Sequence, residues 1–141
     1  MLIAIIGENC VGKSTLAEFI KGEIGGIIYS GKDYLRLEKS PTVAKEKFKN
    51  RLIEAVNGEN VIYLITETEH LDLLPKGAKR IVLTADLDVI KARFKVRMRG
   101  VLPPPVEKML ENRHGIFDRT NCDILLKDGE YSKQDIIKIL K

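Results

Sequence analysis

At 141 residues, with 44% hydrophobic and 31% charged residues, the chain has the length of one domain with a proper core and the polarity of a soluble protein. No stretch approaches the length of a membrane span, and the apolar run at the N-terminus is too short for a signal segment. The net charge of +4 is modest, and the two cysteines, Cys10 and Cys122, form neither a disulfide framework nor a metal-ligand spacing, so a reducing, cytoplasmic setting is expected.

Leu2 to Ile6 is a short, wholly apolar run and reads as a buried strand. It leads into Gly7-Glu8-Asn9-Cys10-Val11-Gly12-Lys13-Ser14, which fits the phosphate-binding pattern G-x-x-x-x-G-K-[ST]. A polyphosphate needs backbone N–H groups wrapped tightly around it, and Gly7 and Gly12 permit the turn because they lack a Cβ. Lys13 is suited to the β- and γ-phosphates, the Ser14 hydroxyl to Mg²⁺, and the following helix aims its N-terminal dipole at the anion. That helix continues through Thr15 to Ile20, with Leu16, Phe19 and Ile20 on one side.

Gly25-Gly26 breaks the helix, and Ile27 to Ser30 forms a second strand that ends at Gly31-Lys32-Asp33-Tyr34. Ligands of open α/β sheets bind outside the carboxyl ends of strands, which brings Asp33 near the phosphates by topology. Asp33 either takes a proton from an attacking hydroxyl or caps the next turn, and both readings stand. Ser40-Pro41 starts a helix from Pro41 to Val56, with Val43, Phe48, Leu52, Ile53 and Val56 as its expected buried side. Its Lys45, Lys47, Lys49 and Arg51 read as a solvated surface, because Glu46 and Glu54 interrupt them.

Asn60 to Thr66 is nearly all apolar, as a central parallel strand is. Where phosphate-loop proteins usually carry an Asp for the Mg²⁺ shell, this strand ends in Thr66-Glu67, which leaves Glu67 or Thr66 to serve the metal through water. A short helical piece at Leu71 to Leu74, stopped by Pro75, precedes a fourth strand from Lys79 to Thr84. Thr84 or Asp86 then caps a helix from about Leu87 to Arg99 that carries Lys91, Arg93, Lys95, Arg97 and Arg99. Beyond the Pro103-Pro104-Pro105 loop, a second helix from Val106 to about Phe117 contains Arg113. This pair, around residues 93–113, reads as a short lid that brings arginines to a triphosphate. A nucleic-acid groove is disfavoured, since no aromatic residues interleave the basic ones. A fifth strand from Thr120 to Leu126 turns at Lys127-Asp128-Gly129, where a base would rest. Ser132-Lys133-Gln134-Asp135 is a capping box for a last helix, whose Ile136, Ile137 and Leu140 would cover the sheet.

With these stretches in place, the whole chain resembles the P-loop nucleoside and nucleotide kinases, most of all guanylate kinase. The resemblance rests on Gly7 to Leu16, Gly31-Lys32-Asp33-Tyr34, the R-x-x-x-R-x-R-G pattern from Arg93 to Gly100, Arg113, and Cys122-Asp123-Ile124. It implies a three-layer P-loop NTPase fold with a five-stranded parallel sheet in the order 2-3-1-4-5, and MgATP as phosphoryl donor. The nucleotide would lie on Gly7, Glu8, Asn9, Cys10, Val11, Gly12, Lys13, Ser14 and Thr15, with Arg93 and Lys127 toward the base. Lys13, Asp33, Arg97 (or Arg99) and Arg113 would serve transfer, and Ser14 and Glu67 the metal. Guanylate kinases also carry a sizeable insert that grips the acceptor nucleotide. Here only about thirty residues, mostly one helix, separate the second and third strands. The acceptor, a small molecule, therefore need not be GMP. A silent nucleotide-binding module is the alternative, a kinase of nucleic-acid ends a weaker one, and a monomer or homodimer is expected.

Overall fold

The computed structural model describes residues 1–140. Five strands, β1 (Leu2–Ile6), β2 (Ile27–Ser30), β3 (Val61–Ile65), β4 (Lys79–Thr84) and β5 (Ile124–Lys127), form one sheet in the order β2-β3-β1-β4-β5. Every pairing is parallel, with Leu2 beside Val61 on one side of β1 and Ile3 beside Lys79 on the other. The expected sheet order is the observed one.

The strands at the centre are apolar throughout because both faces are covered. Alternation splits them between two cores. Ile3, Ile5, Ile62, Leu64, Ile81 and Leu83 face helix α1 (Lys13–Ile24) and helix α5 (Lys133–Leu140), together with Ile90 and Leu110. Leu2, Ala4, Ile6, Val61, Tyr63, Ile65 and Val82 face helix α2 (Pro41–Val56) and a 3₁₀ turn at Thr68–Leu73. The helices α3 (Leu87–Arg97) and α4 (Pro104–Arg113) stand as a hairpin. Lys91 on α3 joins them by pairing with Glu107 and Glu111 on α4, at 3.2 and 2.7 Å.

Several boundaries differ from expectation. On α2 the buried residues are Ala44, Phe48, Leu52 and Ala55, whereas Val43 and Ile53 are exposed. Alanine is small enough to let the helix approach the sheet, so the inward stripe follows geometry rather than side-chain apolarity. Helix α4 spans Pro104 to Arg113 instead of Val106 to Phe117, because Pro is accommodated in a first helical turn and Gly115, at φ 88°, ends the run. Strand β5 begins at Ile124 rather than Thr120: the Asp123 carboxylate accepts the Arg80 N–H at 2.8 Å and takes the place of a ladder bond. Ser132 and Asp135 form the expected reciprocal cap of α5, but Ile139 joins Ile136 and Leu140 in the core instead of Ile137.

Candidate active site

The loop between β1 and α1 is tied to the sheet at its first residue, where the Gly7 N–H donates to the Ile65 carbonyl at 3.0 Å. A Cβ on Gly7 would lie 2.6 Å from the Leu83 carbonyl oxygen, so only glycine fits against β4. Gly12 takes φ 97° as α1 begins, and Cys10 adopts φ 63°, a left-handed conformation that a non-glycine residue rarely holds. The resulting curl leaves the first amides of α1 without helical partners and facing outward from the helix end, which favours an anion.

Lys13 is the charged centre of this curl. Its ammonium donates to the Gly7 and Glu8 carbonyls at 2.9 and 2.6 Å, and the residue is only 9% exposed. Burial pushes its pKa down to about 8, helped by the nearby Arg97 and Arg113 guanidinium groups and opposed by Cys10 and Glu8. A cavity of about 170 Å³ opens beside it, between the loop and the strand ends at Ser30, Leu64 and Thr66, with Ser14 and Arg97 on its wall. A second space of about 380 Å³ continues past Gly12 and Thr15 to Arg93 and Asp128. Lys13, Cys10, Gly12, Ser14, Thr15, Arg93 and Arg97 therefore share one connected neighbourhood at the carboxyl edge of the sheet.

The remaining candidates are placed differently. Asp33 sits in a 3₁₀ turn just beyond β2, where its Oδ2 accepts the Ser30 N–H at 2.8 Å, and it does not line the cavity that Ser30 lines. Arg113 donates to the Thr66 carbonyl at 2.7 Å and to the Glu67 carboxylate at 3.0 Å. Glu67 is thus committed to a guanidinium. The Glu8 side chain turns away from the cavity toward His114 and Gly115. Asn9 lines the cavity, whereas Val11 is fully buried in the core and holds the loop from behind. Lys127 is not brought to the loop. It pairs with Asp86 at 3.1 Å across a separate cavity of about 390 Å³. Alternation along β5 explains this: Leu126 faces the α1 side, so Lys127 faces the other.

Asp128 takes the position near the loop that the sequence reading gave to Lys127. Its carboxylate pairs with Arg93, whose other arm donates to the Cys10 carbonyl at 2.9 Å. No local pattern signals this pair, since its members lie 35 residues apart. Among the described residues no group of three or more His, Cys, Asp or Glu side chains is arranged to hold a metal ion. Mg²⁺ does not need one, because it usually keeps several waters and binds through substrate phosphates and one or two protein oxygens. The exposed Ser14 hydroxyl at the start of α1 fits that role. No helix is long and apolar enough to cross a membrane among the described residues.

A parallel sheet in this order, with a glycine loop between its central strand and a helix N-terminus, is the P-loop fold. No protein-family model matches the chain, and no curated protein matches its sequence. Solved structures share this fold. A shikimate kinase from Bacteroides thetaiotaomicron superposes with TM-score 0.65 at 14% identity, covering 99% of this chain and 98% of its own. The YorR protein of Bacillus subtilis, in complex with phosphorylated GDP, superposes with TM-score 0.63 at 23% identity, covering 99% and 93%. A deoxyadenosine kinase from M. mycoides with bound dATP gives 0.55 at 18% identity, covering 99% and 97%. The chain has the fold of the P-loop kinases, with no preference shown for guanylate kinase among them.

Proposed function

We propose that the chain is a phosphotransferase that moves the γ-phosphate of a magnesium-bound nucleoside triphosphate, expected to be ATP, to a small acceptor. The observation that carries this reading is the convergence of Lys13, Ser14 and Arg97 on one cavity at the mouth of the phosphate loop. The loop amides and Lys13 would hold the β- and γ-phosphates. Arg97, exposed and without an ion-pair partner among the described residues, is available to neutralise charge on the transferring group. Arg93 and Asp128 flank the space in which the base would rest. Mg²⁺ on Ser14 would supply further charge neutralisation.

In this scheme an acceptor oxygen forms the new bond to the γ-phosphorus, the bond to the diphosphate leaving group breaks, and the acceptor proton passes to solvent, since Asp33 lies outside the cavity. The protein's part is positioning and electrostatics, since transfer needs little covalent chemistry from it. The similarity to a shikimate kinase and a deoxyadenosine kinase supports a hydroxyl acceptor on a small molecule; a nucleoside monophosphate such as GMP is the second choice. A binding module without transfer is favoured by one observation, the commitment of Glu67 to Arg113 at the end of β3.

The test is ADP release from MgATP with hydroxy acids, nucleosides, nucleoside monophosphates or no acceptor. Acceptor-dependent release that Lys13→Ala abolishes is expected. Lys13-dependent binding of MgATP with no release above the no-acceptor control would favour the silent module.

A further inference from the structure

We propose that Glu8 is a positioning residue: its carboxylate ties the phosphate loop to the end of α4 and so holds Arg113 on the Thr66 carbonyl, at the wall of the phosphate cavity. The proposal rests on the reading of the loop as a phosphate site and extends it to a residue that touches no phosphate.

An acid in this loop needs a reason, because a carboxylate beside a polyphosphate is repelled by it. The structure supplies one. Glu8 is 9% exposed, and both of its oxygens are engaged: Oε1 lies 3.1 Å from His114 Nδ1, and Oε2 accepts the Gly115 N–H at 3.0 Å. Both partners come from the two residues that follow Arg113, the last residue of α4. They are more than a hundred positions from Glu8 in sequence, so the contact crosses the whole fold. Arg113 in turn spans to the Thr66 carbonyl and to Glu67 at the end of β3, and its charge bears on Lys13.

Apolar contacts alone would not set this geometry. Leu110 and Phe117 are buried on either side of the turn and fix its depth, but such contacts are non-directional. The two contacts accepted by the Glu8 carboxylate are directional and set where α4 stops relative to the loop. A shift of about an ångström there would remove Arg113 from its carbonyl. Glu8 also favours the charged form of Lys13, a second route by which its loss would weaken phosphate binding. The two routes separate experimentally: an effect through Arg113 disappears once Arg113 is gone, and an effect through Lys13 does not.

The test is a double-mutant cycle read by calorimetric titration with inorganic tripolyphosphate and Mg²⁺, on wild type, Glu8→Ala, Glu8→Gln, Arg113→Ala and Glu8→Ala/Arg113→Ala. Arg113→Ala and Glu8→Ala are each expected to weaken binding roughly tenfold. The double variant should bind within about twofold of Arg113→Ala, and Glu8→Gln, which keeps an acceptor for Gly115, should recover part of the loss. Should Glu8→Ala fail to show a cooperative thermal transition, Glu8→Gln carries the cycle. Multiplying losses, or an Arg113→Ala protein that binds like wild type, would overturn the proposal and leave the loop reading intact. A wild-type protein that binds no tripolyphosphate would overturn the loop reading itself, and this proposal with it.

Discussion

Lys13 is held in two conflicting ways. Its ammonium has two carbonyl partners, yet its burial makes the charge costly, and the balance sets its pKa at about 8 instead of 10.5. The sign of the consequence follows from proton binding. Below pH 8 the folded and unfolded chains both carry the proton, and the folded chain bears the full cost, roughly 3 kcal/mol. Between about pH 8 and 10.5 the unfolded chain keeps the proton that the folded chain has lost, so stability gained from this group rises with pH. Urea midpoints of the ligand-free protein should therefore climb from pH 7 to 10 relative to those of Lys13→Met. A wild-type profile parallel to that of the variant would remove the buried-charge argument. Tripolyphosphate, by supplying counter-charge, should flatten the difference. Gly7 offers a steric test at the same scale. Its missing Cβ leaves 2.6 Å to backbone at Leu83, so Gly7→Ala must displace β4 or the loop. A loss of about 1–3 kcal/mol in urea unfolding is expected, together with loss of nucleotide binding.

At the scale of elements, helix α2 separates what packs from what is merely apolar. Phe48 is fully buried and meets the rings of Tyr29, Tyr34 and Tyr63 at 5.4, 5.6 and 4.9 Å. Phe48→Ala should cost about 3–5 kcal/mol in denaturant unfolding. Ile53, on the same helix, is 55% exposed, and Ile53→Ala should stay within about 0.5 kcal/mol. Equal losses would mean that the inward stripe of α2 is misplaced. The elements that were legible in the sequence carry local signals: an apolar run before a glycine loop, a Ser-Pro start at α2, a reciprocal cap at α5. The stripe of α2 was legible only at Phe48 and Leu52, because Ala44 and Ala55 give little hydrophobic signal and their burial depends on how closely the helix approaches the sheet. The site divides the same way. The loop residues and the basic helix α3 were visible, whereas the Arg93–Asp128 and Glu8–His114 contacts join residues 35 and 106 apart and exist only once the sheet has formed. Lys127 was expected toward the base, but the alternation of β5 turns it to Asp86 on the opposite face.

For the whole molecule, the distribution of charge decides between a small-molecule and a nucleic-acid partner. The excess of four positive charges is enough in number for a weak nucleic-acid surface. Its arrangement argues otherwise. Lys47 pairs with Glu38, Arg51 with Glu59, Lys91 with Glu107 and Glu111, and Lys127 with Asp86. Most of these pairs are exposed and add little stability, but each places an acid where a phosphate backbone would need an unopposed cation. The basic groups that converge do so at the loop, where Lys13 and Arg97 line a space suited to one polyphosphate chain and Arg93, paired with Asp128, stands beside it. Binding to nucleic acid releases counterions in proportion to the phosphates neutralised, so affinity would fall steeply between 50 and 200 mM salt if several phosphates were engaged. The charge pattern here predicts that a single-stranded or duplex oligonucleotide, titrated by fluorescence anisotropy, binds no tighter than about 10⁻⁴ M at physiological salt, the weak end of non-specific binding. Mononucleotide binding should persist across the same salt range with a slope set by one triphosphate. Micromolar oligonucleotide binding with a slope of several charges would instead favour a nucleic-acid partner over a small molecule.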